Sequence, residues 1–479
     1  MAPGAASGVR SFAVGEGALK RDAVGVTGSV AMSLGVMNPA SGVMFTAAVV
    51  AGHAGPALPL VYLLSLVGVL LLVNTIAEFS RRLAHAGSFY AFNTAGLGPV
   101  FGFFAGWLLF AAYLYPQNLL AFGAFASAAL ATQLGIHVAW WVFTVAAAVA
   151  IWALSLRGIK ASTRTTLSVE IFAILVVLLV ITVILVQGGA TGSVWDAKLF
   201  DPGANPDHWA GIFNGMIFGI MSFAGFEAVA TLGEETSEAR RSIPIAMWGA
   251  VIGSGIFFII ATSAMSLGFG VDHASDFASA SAPMDHLASV YGNDALVVAV
   301  DIAAVLCAFA VGLAIHNAAV RVTFAMGRDG IFPRPLGRTN PRLMTPDVAI
   351  SVTSALSIVL ALTVGLSTSP YPEGYAYFGT FSTLPVIVVY IITSLALVRF
   401  IRVNDPGGFS FFKHALCPIL GIALMALPIY GALWPWPRWP ANLIIVLSFA
   451  WMFIGLVVGY RLRSRAGELL ERVGRLLGS

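Results

Sequence analysis

From about residue 23 to residue 461 the chain repeats one pattern: an apolar run of about 20 residues, then a short loop that carries the charge. A run of that length spans bilayer hydrocarbon as a helix. Hydrocarbon offers no partner for a loose backbone N–H or C=O, so the spans must satisfy their own backbone. Hydropathy places twelve of them, at roughly 23-51, 58-80, 99-128, 138-156, 165-187, 209-235, 244-269, 293-327, 346-367, 375-400, 414-433 and 440-461. Composition agrees: 58% of residues are hydrophobic and 10% charged, where a soluble chain carries about 25% charged. The reading is an all-α polytopic membrane protein. The first 22 residues are polar and glycine-rich, and no cleavable signal peptide is expected in them.

Positive charge sets the orientation. With the N-terminus inside, every cytoplasmic loop receives basic residues, and of 25 lysines and arginines only Lys198 and Arg438 fall outside. That asymmetry predicts cytoplasmic tails at 1-22 and 462-479. The opposite loops carry acids, among them Asp196, Asp201, Asp207, Asp272, Asp276 and Asp285. Residues 270-292 are expected as short helices over the outer mouth. The polar stretch between spans 2 and 3 is expected as an interfacial helix.

Two spans are interrupted. The sixth reads IFGIMSFAGFEAVATLGEE, with Ala224-Gly225-Phe226-Glu227 in its middle. At about 1.5 Å per residue the Glu227 carboxylate lies on the order of 20 Å along the helix. An ionisable group at that depth is a functional-site hypothesis by default. Gly225 adopts backbone angles that end a helix, which leaves Glu227 in the first turn of a second half, where the helix dipole favours an anion. The bland alternative is a flexible glycine beside a carboxylate paired with another helix.

The first span is interrupted by Gly35, Asn38-Pro39 and Gly42. Asn is a good N-cap and proline suits the first helical position. A new half-helix starting there aims the amides of Ala40, Ser41 and Gly42 into the break, where they attract a carboxylate. An ordinary proline kink is the alternative. Together the two breaks say more. Spans 1-5 (23-187) and 6-10 (209-402) form halves of opposite topology, each opening on an interrupted helix, which is the sequence mark of a transporter's binding site. Spans 11 and 12 (414-461) are extra and suit the outside of the core or a homodimer face. A zwitterion needs an anion site and a cation site close together, and the two breaks supply both.

Other polar marks are weaker. Span 8 carries Asp301, His316 and Asn317. His316 and Asn317 either hydrogen-bond the broken helices or substrate, or are satisfied within the bundle. Glu170 in span 5 either accepts a coupling proton or pairs with Arg164 or Lys160. Glu78 is expected to pair with an arginine, and Cys307 and Cys417 to be core residues without metal-ligand spacing. No metal or cofactor is called for. No charged ring marks a channel, no span carries an enzyme motif, and no basic domain points to nucleic acid.

Three linked stretches carry a resemblance. HNAAVRVTFAMGRDGIFPRPLGRTNPRLMTP (316-346), GFEAVATLGEE with RRSIPIAM, and AGSFYAFNTAGLGPVFGFFAGW resemble, in order, segments of amino acid/polyamine/organocation superfamily permeases over about residues 20 to 460. The resemblance implies a five-plus-five inverted repeat of the leucine-transporter kind and alternating access around spans 1 and 6. Carried over by motif, the substrate carboxylate falls to the amides of Ala40, Ser41 and Gly42, beside Asn38. The amine falls to Ser222, Phe223, Ala224 and Glu227, with Phe226 as an aromatic gate. The chain departs from the family in having Asn-Pro-Ala-Ser-Gly at the first break and no lysine in mid-span 5. The resulting expectation is an amino acid permease of the cytoplasmic membrane, in contact with lipid, either proton-coupled or an exchanger. The coupling ion is a proton ahead of sodium, with Glu170 and Glu227 as its sites. The alternative is a permease for a polyamine or other organic amine.

Overall fold

Backbone satisfaction dictates nearly all of the architecture. In the computed structural model, which describes residues 26–83, 88–157, 160–232, 238–328 and 332–461, the chain is almost wholly helical, with no strand among the described residues. The expected tails and residues 233–237 of the charged loop lie outside them. Ten helical stretches are long and apolar enough to cross a membrane, so this is a multi-pass membrane protein. The difference from twelve has two causes. The first stretch, Ser33–Arg82, is 50 residues long and contains most of the first expected span and all of the second. It runs on through the Gly55–Ala57 turn, where Gly55 takes a φ of +57°. Trp140–Leu156 is apolar but, at 17 residues, short.

The centre is built around the Leu58–Arg82 and Ala239–Phe269 helices, which pack along each other. Val26–Met37 lies against Ala239–Phe269 and Lys160–Gln187, and His208–Phe223 lies against Leu58–Arg82. Burial separates core from periphery. The apolar window of His208–Ala230 is 72% buried, that of Phe412–Leu433 39%, and that of Ala441–Arg461 only 22%. The last two helices therefore cover the bundle and turn most of their surface outward. Ala441–Arg461 is pinned by a tryptophan pair. Trp107 and Trp451 stack at 4.4 Å, and each indole N–H donates to the other's backbone carbonyl, at 3.1 and 3.2 Å. Both polar edges are thus satisfied within the protein.

Ser88–Leu97, between the second and third expected spans, is a helix packed against Pro99–Ala112 and Tyr375–Asn404. Its Asn93 donates to Thr393 Oγ1 at 2.8 Å, and Gly96 lies so close to Ala396 that a side chain would collide with backbone. The segment packs by its apolar face, with Phe89 and Phe92 buried. One local expectation changes. The third span, expected as one helix, is two: Pro99–Ala112 and Pro116–Leu134, separated by Tyr113-Leu114-Tyr115. Short helices do occupy Ala274–Ser279 and Pro283–Tyr291. In the latter, burial first and neighbouring Asp301 second push the Asp285 carboxyl up to about 6.

Candidate functional site

Asn38 makes the first break. It takes a left-handed conformation, φ 48° and ψ 71°, which asparagine tolerates better than most residues. The helix Val26–Met37 ends there, and its successor starts at Pro39. Asn38 Oδ1 accepts from the Ser41 N–H at 3.2 Å and from the Cys307 thiol at 2.7 Å. The Ser41 hydroxyl donates back to the Asn38 carbonyl at 2.7 Å. The chain then passes through the π-helical turn Gly42–Thr46 before regular helix resumes at Ala47.

The three amides expected to lie open are all occupied. Ser41 N–H belongs to the Asn38 cap, and Gly42 N–H donates to the Pro39 carbonyl. Ala40 N–H donates to Glu170 Oε1 at 2.9 Å. The reason is burial: Ala40 and Glu170 are both 0% exposed, and a buried N–H without a partner is costly. Only the Ala40 bond reaches another helix, so only it is exchangeable without undoing the turn. Glu170 Oε2 and Asn38 Nδ2 have no hydrogen-bond partner among the described residues. The side chains of Lys160 and Arg164, the other expected partners of Glu170, lie outside the described ones.

The second break is made by Ala224 and Gly225. His208–Phe223 ends with Ala224 at ψ 138°, its N–H bonded to the Ile220 and Met221 carbonyls. Gly225 has φ +107°, and a Cβ there would come within 3.0 Å of Val36 and Met37. The tight turn Phe226–Leu232 follows. Glu227, 2% exposed, turns back to accept the Gly225 N–H on Oε2 at 3.0 Å. Its Oε1 accepts from the Tyr113 hydroxyl at 3.5 Å. Tyr390 is near enough to interact electrostatically with this carboxylate, without hydrogen-bond geometry.

The two breaks touch. Ser33 Oγ donates to the Phe226 carbonyl at 3.1 Å. Tyr62 donates to the Gly42 carbonyl at 3.1 Å and stands 3.5 Å from Ser222 Oγ. Gly42 faces Phe258 and Ser222, which a Cβ would approach at 2.6 and 3.0 Å. Phe223 packs edge-on against Phe258, and Phe226 leans on Tyr390. Asn38, Ala40, Ser41, Gly42, Ser222, Phe223, Ala224, Phe226, Glu227 and Glu170 therefore form one buried neighbourhood with a carboxylate at each break. His316 and Asn317 face elsewhere. His316 packs edge-on against Tyr115 at 5.0 Å and stands 3.5 Å from Ser354 Oγ. Asn317 accepts from Ser155 at 3.1 Å. Sequence reasoning missed Tyr62, Tyr113, Tyr390 and the bond from Cys307. Among the described residues no three of His, Cys, Asp or Glu gather as a metal site.

A polytopic helical bundle with paired broken helices and buried carboxylates at the breaks is the arrangement of a membrane transporter. Comparison with known proteins makes the assignment specific: the amino acid permease family model matches residues 28–460, and the chain belongs to that family. It is 27% identical to the low-affinity putrescine importer PlaP of Escherichia coli (strain K12), over 89% of this chain and 90% of that one. It is also 27% identical to the branched-chain amino acid permease BcaP of Bacillus subtilis (strain 168), over 96% of each. The methylthioribose transporter of the same Bacillus subtilis strain is again 27% identical, over 90% of each. The protein is a permease and not an enzyme.

The fit of Gly225 against the first helix yields a test. Gly225→Ala combines a disfavoured φ with a collision at Met37, and is expected to cost about 1–3 kcal/mol. A lowered melting temperature together with lost uptake is the expected result. Wild-type values for both would show that the breaks do not meet as described.

Proposed function

We propose that this permease carries an amino acid and a proton together across the cytoplasmic membrane by alternating access. In this reading twelve spans form an inverted repeat, 23-187 and 209-402, followed by two outer helices in 414-461, with both termini cytoplasmic. The placement of 23 of 25 basic residues on one side supports the orientation. Contact between the two breaks supports the repeat.

One observation carries the mechanism: the bond from Ala40 N–H to Glu170 Oε1. A helix-start amide is a carboxylate site, and here a carboxylate of the protein already sits on it. A substrate carboxylate binds by displacing Glu170. The displaced side chain is then a buried anion without a donor, which is expensive, and a proton taken up removes the charge. Binding of substrate thereby takes up a proton. The substrate ammonium goes to Glu227, with Tyr113 and Tyr390 beside it. Charge-assisted bonds of this kind contribute about 1.5–3 kcal/mol each.

The same bond supports a second reading. If Glu170 never leaves Ala40, the cargo needs no carboxylate and is an organic amine held by Glu227. The putrescine importer among the relatives is compatible with this, and the branched-chain amino acid permease with the first.

Both readings make Glu227 indispensable. Glu227→Gln keeps the shape and removes the charge, and uptake in proteoliposomes is expected to fall at least tenfold, about 1.4 kcal/mol, with melting little changed. Wild-type uptake would end the role of Glu227. Glu170→Gln separates the readings. In the proton-coupled one it flattens the pH dependence of uptake, because no proton is then exchanged at this position. An unchanged profile removes Glu170 as the coupling site.

A further inference from the structure

Far from the two breaks, charge gathers where the Leu58–Arg82 helix ends. Glu78 is nearly buried there, its side chain 5% exposed, and saturated with donors. Arg81 Nη1 lies 2.5 Å from Oε1, and Arg82 Nη1 2.6 Å from Oε2. His414 Nε2 lies 3.0 Å from Oε2. The tautomer of His414 follows from its other nitrogen: Nδ1 accepts the Ser410 N–H at 2.9 Å, so Nε2 carries the proton and donates to Glu78. Arg82 is also held by Asp405 at 3.1 Å. This cluster ties the end of one membrane helix to the Phe412–Leu416 turn that starts another.

The charges do not cancel. Three permanent cations, Arg81, Arg82 and Lys413, face two carboxylates, Glu78 and Asp405, leaving one positive charge over. It belongs to the two most exposed cations. Lys413 Nζ stands 4.0 Å from Glu78 Oε1, behind closer donors, and its side chain is 53% exposed. Arg81 is 45% exposed and shares that oxygen, so the two cationic nitrogens are no more than about 6.5 Å apart. One phosphate group reaches both. Next to Lys413 in the chain, Phe411 and Phe412 are 69% and 63% exposed. Two bare phenyl rings beside paired cations, at the end of a membrane helix, match a phospholipid: phosphate on the cations, glycerol and acyl carbon on the rings. A dissolved anion would engage the cations and leave the rings in water.

We propose that Arg81 and Lys413, flanked by Phe411 and Phe412, form a site for the headgroup phosphate of an anionic phospholipid. The lipid neutralises the surplus charge and stabilises the junction of Glu78 with His414.

The test compares melting of the full-length protein in nanodiscs of phosphatidylcholine alone and of phosphatidylcholine mixed with phosphatidylglycerol. The mixed discs are expected to raise the midpoint by roughly 3 °C or more. Arg81→Gln with Lys413→Gln is expected to abolish the rise. Phe411→Ser with Phe412→Ser leaves every charge in place, and is expected to reduce the rise by at least half. It keeps the question decidable should the charge variant fail to fold. Inorganic phosphate added to the protein in detergent is expected to leave the midpoint where it is. Equal midpoints in the two discs, a full rise in either double variant, or the same rise from phosphate alone would overturn the proposal.

Discussion

A helix that stops inside hydrocarbon exposes amides and carbonyls where no water can satisfy them, and each must find a partner within the protein. This chain stops helices there twice and meets the demand with carboxylates. Glu170 takes the Ala40 amide from across the bundle. Glu227 turns back on the Gly225 amide of its own segment. The rest of the centre follows from holding these two ends together. Gly42 and Gly225 allow the close approach, Asn38 supplies the left-handed turn, and Tyr62 and Ser33 bridge the carbonyls left over.

The two carboxylates differ in the ease with which they change partner. Glu227 is bound within its own turn and is flanked by Tyr113 from the link between two helices and by Tyr390 from the Tyr375–Asn404 helix, so its surroundings persist unless that turn unwinds. Glu170 is held by one bond reaching across 130 residues of sequence, with its second oxygen unpartnered among the described residues. An incoming carboxylate competes with the second arrangement far more readily than with the first. On the proposed mechanism, this asymmetry gives Glu227 the cargo and Glu170 the exchange.

Features governed by local chemistry were legible in the sequence. Asn38-Pro39 and Ala224-Gly225 mark the breaks through backbone preferences of one or two residues, and the depth of Glu227 follows from counting along a helix. Glu78 was expected to pair with an arginine and holds two. Features governed by packing were not legible. That Glu170 reaches Ala40 depends on how Lys160–Gln187 is rotated against the first break. The sequence left His316 open between the broken helices and the bundle, and the face of its helix turns it toward Tyr115. Tyr113 was hidden because residues 99-128 read as one apolar run. The only signal was Tyr113-Leu114-Tyr115 ahead of Pro116, a polar pair before a helix-starting proline.

The central claim is that Ala40 N–H passes from Glu170 to a substrate carboxylate. It is tested most directly by thermal stabilisation of the purified protein with a panel of amino acids, each paired with its decarboxylated amine. A ligand at 100 times its dissociation constant adds about 2.7 kcal/mol of stability. The account predicts stabilisation by at least one amino acid, loss of the effect with the matching amine, and proton uptake from weakly buffered solution on binding. Stabilisation by the amines alone, with no proton taken up, would contradict it and leave Glu170 as a fixed plug on the first break.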